Sequence, residues 1–206
     1  MNFLIWLFWA LSFAAFDVFK GDDARKLPDD DLQTLLDCAA RAEPSALGML
    51  YDRFFQRIYN YIYHRVGQAE LAEDLTAQVF VKMLEAVGQG RGWQSSFTGW
   101  LFRIAHNLVV DHYRRKKRST VVTLDDAAPL PSPAGDPVRG SEAESDREQL
   151  RVALGRLTEE QAQVIILRFL EDLSIAEVAV AMDKTEGAIK ALQYRAVLAM
   201  RRVMQS

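Results

Sequence analysis

Cysteine occurs once in these 206 residues, as Cys38, and histidine three times, as His64, His106 and His112. One cysteine excludes an intramolecular disulfide and suits a reducing cytoplasm. One thiol and three scattered imidazoles supply no metal-ligand spacing, so neither a metal centre nor a cofactor is expected. There is no nucleophile–base set and no glycine-rich phosphate loop, which argues against a hydrolase or nuclease and against an enzyme of any familiar kind. Strand signals are nearly missing: Val121-Val122-Thr123 is the one short β-like run. Cys38 itself falls in an alanine-rich stretch of helical character, where a packed thiol is the plain reading.

Long hydrophobic runs are also scarce. The first lies between Phe3 and Phe16, with no charge until Asp17. It is shorter than the ~20 residues of a spanning helix and lacks the basic start of a secretory signal. Three readings stay open for it: an interfacial membrane anchor through residues 3–16, a helix docked on the protein's own core, or residues from a start codon placed too early. An anchor would set Trp6 and Trp9 at the lipid interface, with Lys20, Arg25 and Lys26 following on the inner side.

Proline is rare except in one place. Four of the six prolines fall between Pro129 and Pro137, in a stretch that also holds Gly135 and Gly140. Such a segment cannot build a packed element. Charge divides the chain at the same point: residues 1–44, 45–118, 119–147 and 148–206 carry −4, +5, −4 and 0, for a total of −3. A basic block between acidic ones is informative where the sum is not. The pattern predicts an all-α protein of two small helical domains, 28–118 and 148–206. An extended acidic linker over 119–147 joins them, and a hydrophobic extension over 1–27 precedes them.

Helices are expected at 29–41, 44–66 (opened by Pro44 and stopped by Gly67), 69–87 and 98–118 in the first domain. In the second they are expected at 142–156 and in three further segments. Two of these start at capping boxes, Thr158 to Gln161 and Ser174 to Glu177, and the last runs from Thr185 to about Met204.

Residues 174–196 read SIAEVAVAMDKTEGAIKALQYRA. Small Ala179 would sit where two helices cross, and Val178, Met182, Ile189 and Leu192 would face inward. That is the pattern of a helix-turn-helix, whose second helix enters the major groove by its first residues. Lys184, Thr185, Glu186, Gly187, Ala188 and Lys190 would then face DNA. Asp183 occupies the turn position usually held by glycine, a place that asks for positive φ, which Asp tolerates better than most residues. A helical hairpin without a ligand fits the same string.

Along 98–118, Arg103, Asn107, Asp111, Arg114 and Arg118 share one helix face, while Leu101, Ala105, Leu108 and His112 share another. The helix ends in five cations, Arg114 to Arg118. Before it, Arg91, Trp93, Ser95, Ser96 and Phe97 form a loop in which cations would grip phosphate and aromatic groups would take an unstacked base. The plainer readings are a solvated helix end and core packing, the latter favoured for Trp100. In the helix 69–87, two stripes are apolar or small: Leu71, Leu75, Val79, Met83 and Ala72, Thr76, Phe80, Leu84. Their width suggests an edge offered to another protein; fuller burial inside the domain competes with that.

Three stretches together, AEDLTAQVFVKM (72–83), FTGWLFRIAHNLVVDHYRRKKR (97–118) and LTEEQAQVIILRFLEDLSIAEVAVAMDKTEGAIK (157–190), resemble the extracytoplasmic-function (ECF) group of the sigma-70 family. The resemblance implies a sigma factor that binds core RNA polymerase and directs promoter-specific initiation. It assigns Asp74, Gln78 and Phe80 to the β′ clamp helices. Reading and melting of the −10 element would fall to Arg91, Trp93, Ser95, Ser96, Phe97, Arg103, Asn107, Asp111, Arg114 and Arg115. The −35 element would be read by Lys184, Thr185, Glu186, Gly187, Ala188, Lys190 and Arg195, and the second domain would also meet the β flap. The acidic linker is similar to the segment that family members thread through the RNA exit path, and an anti-sigma factor is the implied regulator. The competing reading is a stand-alone helix-turn-helix regulator, which needs a dimer interface that no heptad signals.

Overall fold

A computed structural model describes the backbone of residues 29–121 and 142–205, with side chains over 32–116 and 149–203. Residues 1–27 lie outside that description, as does most of the acidic segment 119–147. Among the described residues every regular element is a helix. They form two compact units.

The first unit holds α1 (Asp29–Ala40), α2 (Pro44–Val66), α3 (Ala69–Gly88) and α4 (Phe97–Val121). α4 runs three residues past the expected end, taking in Val121 of the β-like run. Leu50, Phe54, Ile58 and Ile62, spaced by four along α2, are almost wholly buried. They meet Leu75, Val79 and Met83 of α3 and Leu101, Phe102 and Ala105 of α4, all buried. Each such side chain contributes about 1.5–3 kcal/mol on leaving water, so this stripe dominates the unit's stability. The buried Thr76 hydroxyl donates to the Ala72 carbonyl at 2.6 Å. Tyr113 Oη donates to the Arg65 carbonyl at 2.7 Å and ties the far part of α4 to the end of α2.

Helix ends in this unit are closed by left-handed residues. At α1 the Glu43 N–H bonds the Cys38 carbonyl and the Ala42 N–H bonds the Ala39 carbonyl, at 3.2 and 2.9 Å. That is the Schellman pairing, with Ala42 at φ +58° where glycine is usual. Gly67, at φ +71°, ends α2 as expected. Cys38 is half-buried near the end of α1. Hydrogen bonding to Glu43 holds its thiol above the usual range, so it is a protonated packing group.

The second unit holds α5 (Glu142–Gly155), α6 (Glu159–Ile165) with a wide π turn over Ile166–Leu170, α7 (Ile175–Met182) and α8 (Glu186–Gln205). Both capping boxes form. Thr158 Oγ1 accepts from the Gln161 N–H at 3.3 Å while Gln161 Oε1 accepts from the Thr158 N–H at 3.2 Å. Ser174 and Glu177 exchange the equivalent bonds at 3.2 and 2.7 Å. Ile189, Leu192, Ala196 and Met200 of α8 are buried, as are Val164, Ile165 and Leu167 beside them.

Asp183 stands at φ +55° in the turn before α8, the conformation its position required. Left-handed backbone costs an L-residue roughly 1–2 kcal/mol, less for Asp, while replacement by glycine loses about 0.4–1 kcal/mol through the unfolded chain. Ala42→Gly should therefore raise the stability of the first unit by up to about 1 kcal/mol. Asp183→Val should lower the stability of the chain by about 1–2 kcal/mol. Urea unfolding of the full chain measures both, and a destabilised Ala42→Gly variant would contradict the left-handed end of α1.

Candidate nucleic-acid interface

The chain leaves α3 through a second Schellman pairing. The Arg91 N–H bonds the Ala86 carbonyl at 2.8 Å and the Gly90 N–H bonds the Val87 carbonyl at 2.9 Å, with Gly90 at φ +65°. This anchors the backbone at Arg91, whose exposed guanidinium reaches back to Gln89 Oε1. Ser96 opens α4: its hydroxyl accepts the Gly99 N–H at 3.1 Å. The irregular chain over 89–96 is thus held at both ends, with Ser95 exposed between them.

Aromatic side chains line the inner side of that loop. Trp93 meets Phe97 edge to face at 4.9 Å and lies 5.9 Å from Trp100. Phe97 in turn meets Phe54 at 5.2 Å. Phe97 is only 3% exposed, which corrects its assignment to direct base contact: it is the floor on which Trp93 rests. Trp93 and Trp100 are both half-exposed, so Trp100 is less completely packed than the core reading implied. Sequence reasoning missed Arg57, whose guanidinium lies 5.6 Å from the Phe54 and Phe102 rings beneath the loop. Its spacing of three from Phe54 on α2 was the available signal.

Along α4 the expected polar face is present. Arg103, Asn107, Asp111 and Arg114 are exposed, as are Arg115 and Lys116, while Leu101, Ala105 and Leu108 are buried. His112 is half-buried at the edge of the two faces. Burial, then the charges of Lys116 and Arg115, hold its imidazole below the usual value.

On α3, Asp74 and Gln78 are exposed but Phe80 is 4% exposed. Its ring packs against Tyr51 at 4.7 Å and Phe55 at 6.4 Å, which corrects the expectation of a surface contact. The two apolar stripes are mostly consumed inside the unit. What reaches solvent is Leu84 (47%) and Val81 (53%) on α3, together with Tyr51 on α2. Tyr51 begins an aromatic row at spacing four, with Phe55, Tyr59 and Tyr63, whose neighbours lie 5.3 to 6.4 Å apart. That row was the sequence signal for Tyr51; Val81 had none.

The helix-turn-helix forms from α7 and α8, with Val178, Met182, Ile189 and Leu192 buried as expected. Thr185 caps α8, its hydroxyl accepting the Ala188 N–H at 3.3 Å, and Lys184 pairs with Glu160 at 2.9 Å. The polar atoms of these two residues therefore serve the turn. Glu186, Gly187, Ala188, Lys190 and Arg195 are exposed on α8. Tyr194, passed over in the sequence, is 64% exposed beside Arg195 and one turn from Lys190. Among the described residues no group of His, Cys, Asp and Glu is placed to hold a metal ion, and no helix is long and apolar enough to cross a membrane.

Comparison with known proteins agrees with this geometry. Family models for sigma-70 region 2 and sigma-70 region 4 match residues 50–119 and 147–203. The ECF RNA polymerase sigma factor BldN of Streptomyces coelicolor is 37% identical over 183 residues, which is 87% of this chain and 69% of that one. The chain belongs to the ECF sigma factors. As such it binds core RNA polymerase and directs promoter-specific transcription, and a stand-alone regulator is not favoured. The RNA polymerase sigma factor YlaC of Bacillus subtilis is 30% identical over 75% of this chain and 90% of its own. Among solved structures, CnrH in complex with the cytosolic domain of CnrY shares the fold at a TM-score of 0.64 and 20% identity, covering 84% of this chain and 96% of that one. RpoE of Bartonella quintana, in complex with the anti-sigma factor NepR, does so at 0.59 and 20%, covering 77% and 96%.

The burial pattern of this sigma factor separates fold from surface on α3. Phe80→Ala should cost about 3–5 kcal/mol through the cavity it leaves. Gln78→Ala should change stability by less than about 0.5 kcal/mol. Urea unfolding followed by circular dichroism distinguishes them, and a harmless Phe80→Ala would return Phe80 to the surface.

Proposed function

We propose that the two units of this ECF sigma factor read separate promoter elements while both ride on core polymerase. In this reading the domain 28–118 reads and melts the −10 element, the domain 148–206 reads the −35 element, and residues 119–147 are the acidic connection. The −35 surface is the exposed side of the first half of α8: Glu186, Gly187, Ala188, Lys190 and Arg195, with Tyr194 added. Lys184 and Thr185 stand at its edge and fix the turn. The −10 surface consists of Arg91, Trp93, Ser95 and the α4 face bearing Arg103, Asn107, Asp111, Arg114 and Arg115. Phe97 and Ser96 support it from below. Asp74 and Gln78, beside Tyr51, Val81 and Leu84, offer the clamp-helix contact, with Phe80 as their support.

One observation carries the proposal. α8 starts at a capped turn and presents Lys190, Tyr194 and Arg195 as exposed side chains. Cations and an aromatic group on the exposed side of a docked helix suit major-groove edges and phosphates. On the first unit, an exposed cationic helix end beside an aromatic-floored loop suits a displaced single strand. The protein works without catalysis of its own, in the cytoplasm, and its relatives in solved complexes support an anti-sigma factor as its regulator.

In run-off transcription, the purified protein with core polymerase should yield promoter-dependent products from genomic fragments. Lys190→Ala should weaken use of a −35-dependent promoter about 5- to 30-fold, the loss of one good contact. Pull-down of core should be unchanged. Equal loss of core binding would show that α8 is misassigned.

A further inference from the structure

Arg156, Lys190, Arg195 and Arg202 of the second unit are exposed, whereas Arg168 is not. It sits in the wide turn Ile166–Leu170, half-buried, with two of its guanidinium nitrogens engaged. One donates to the Leu173 carbonyl; Nε donates to Gln193 Oε1 at 3.2 Å. The turn makes this possible. The Glu171 N–H bonds the Ile166 carbonyl at 3.0 Å and the Leu173 N–H bonds the Leu167 carbonyl at 2.9 Å. Those long-reach bonds fold residues 171–173 back beneath the helix and set the Leu173 carbonyl beside Arg168. Leu173 directly precedes Ser174, the cap of α7, so that carbonyl marks where the helix-turn-helix begins. Gln193 lies on α8 three residues after Lys190, between buried Leu192 and exposed Tyr194.

A single planar fork therefore joins the entry of α7 to the middle of α8. A guanidinium holds two acceptors in fixed directions, which an ammonium cannot do. Burial disfavours its charge, and the carboxylates of Asp172 and Glu177 act against that. We infer that Arg168 is a positioning residue for −35 recognition: through Gln193 it sets the rotation of α8, and so the direction in which Lys190 and Tyr194 meet base edges. It does so without gripping DNA itself. The inference rests on the reading of α8 as the −35 reader.

The test uses full-length protein in holoenzyme and a −35 sequence selected by the wild type from a randomised pool. Affinity for the selected and a scrambled −35 sequence is measured across a salt series. Arg168→Gln and Gln193→Ala should each reduce discrimination about tenfold, as expected from the misdirection of one base contact. The double variant should lose no more than the worse single one, and Arg168→Lys should restore only part. Core binding and the salt slope should match wild type, because no phosphate contact is removed. Gln193→Ala keeps the test sound if Arg168→Gln folds poorly. A salt slope smaller by about one with discrimination intact would assign Arg168 to a phosphate and overturn the inference. Additive losses in the double variant would overturn it too. If wild type discriminates and both single variants discriminate equally well, only this inference falls. If wild type prefers no −35 sequence, the reading of α8 falls and the inference falls with it.

Discussion

The surfaces that face outward for function depend on how helices stop and restart. A helix end leaves backbone N–H and C=O groups without intrahelical partners, and those groups must be satisfied before the next element can be aimed. This chain solves the problem the same way before both α4 and α8. A left-handed residue ends one helix and a hydroxyl begins another: Gly90 and then Ser96 around the loop before α4, Asp183 and then Thr185 around the turn before α8. Each pair fixes a short exposed segment at both ends. Packing then fixes the helix that follows, through Phe97, Leu101 and Ala105 in one unit and Ile189, Leu192 and Ala196 in the other.

That arrangement explains why several polar residues near the surface are not themselves contacts. Ser96, Thr185 and Lys184 lie within the functional segments, yet each has a partner within its own unit. Their place is structural and local, at the entrance of α4 or α8. Just beyond them, Glu186, Lys190 and Tyr194 are exposed on α8. A capped N-terminus that leaves side chains at its first exposed turns uncommitted is what a DNA-reading helix requires, since base contacts discriminate only when their direction is held.

Much of this organisation was legible in the sequence. Capping boxes at Thr158 and Ser174, Pro44 at a helix start and Gly67 at a helix end each state a local backbone requirement that no distant contact can easily change. Asp183 is the most instructive example, since a residue type alone pointed to positive φ. Inside and outside were harder to separate. Phe80 and Phe97 belong to stripes or loops whose aromatic residues suit either a core or a ligand, and periodicity does not count how many neighbours will share a stripe. Tyr51 and Phe55 cover Phe80, and Phe54 covers Phe97. The wide turn at Ile166–Leu170 was invisible because VIILRFL is nearly continuous in apolar character and shows no period that a π turn would break. Tyr194 was passed over because an aromatic residue in a helix reads first as core.

In the proposed reading, one chain places two separate surfaces on two separate promoter elements. Site-specific photocrosslinking in holoenzyme addresses it directly, with a photoreactive side chain introduced in place of Trp93 or Tyr194. The account predicts that the probe at position 194 crosslinks duplex DNA near −35, and that the probe at position 93 crosslinks the non-template strand near −10. Crosslinks from both positions to the same element, or from neither to DNA while core remains bound, would contradict it.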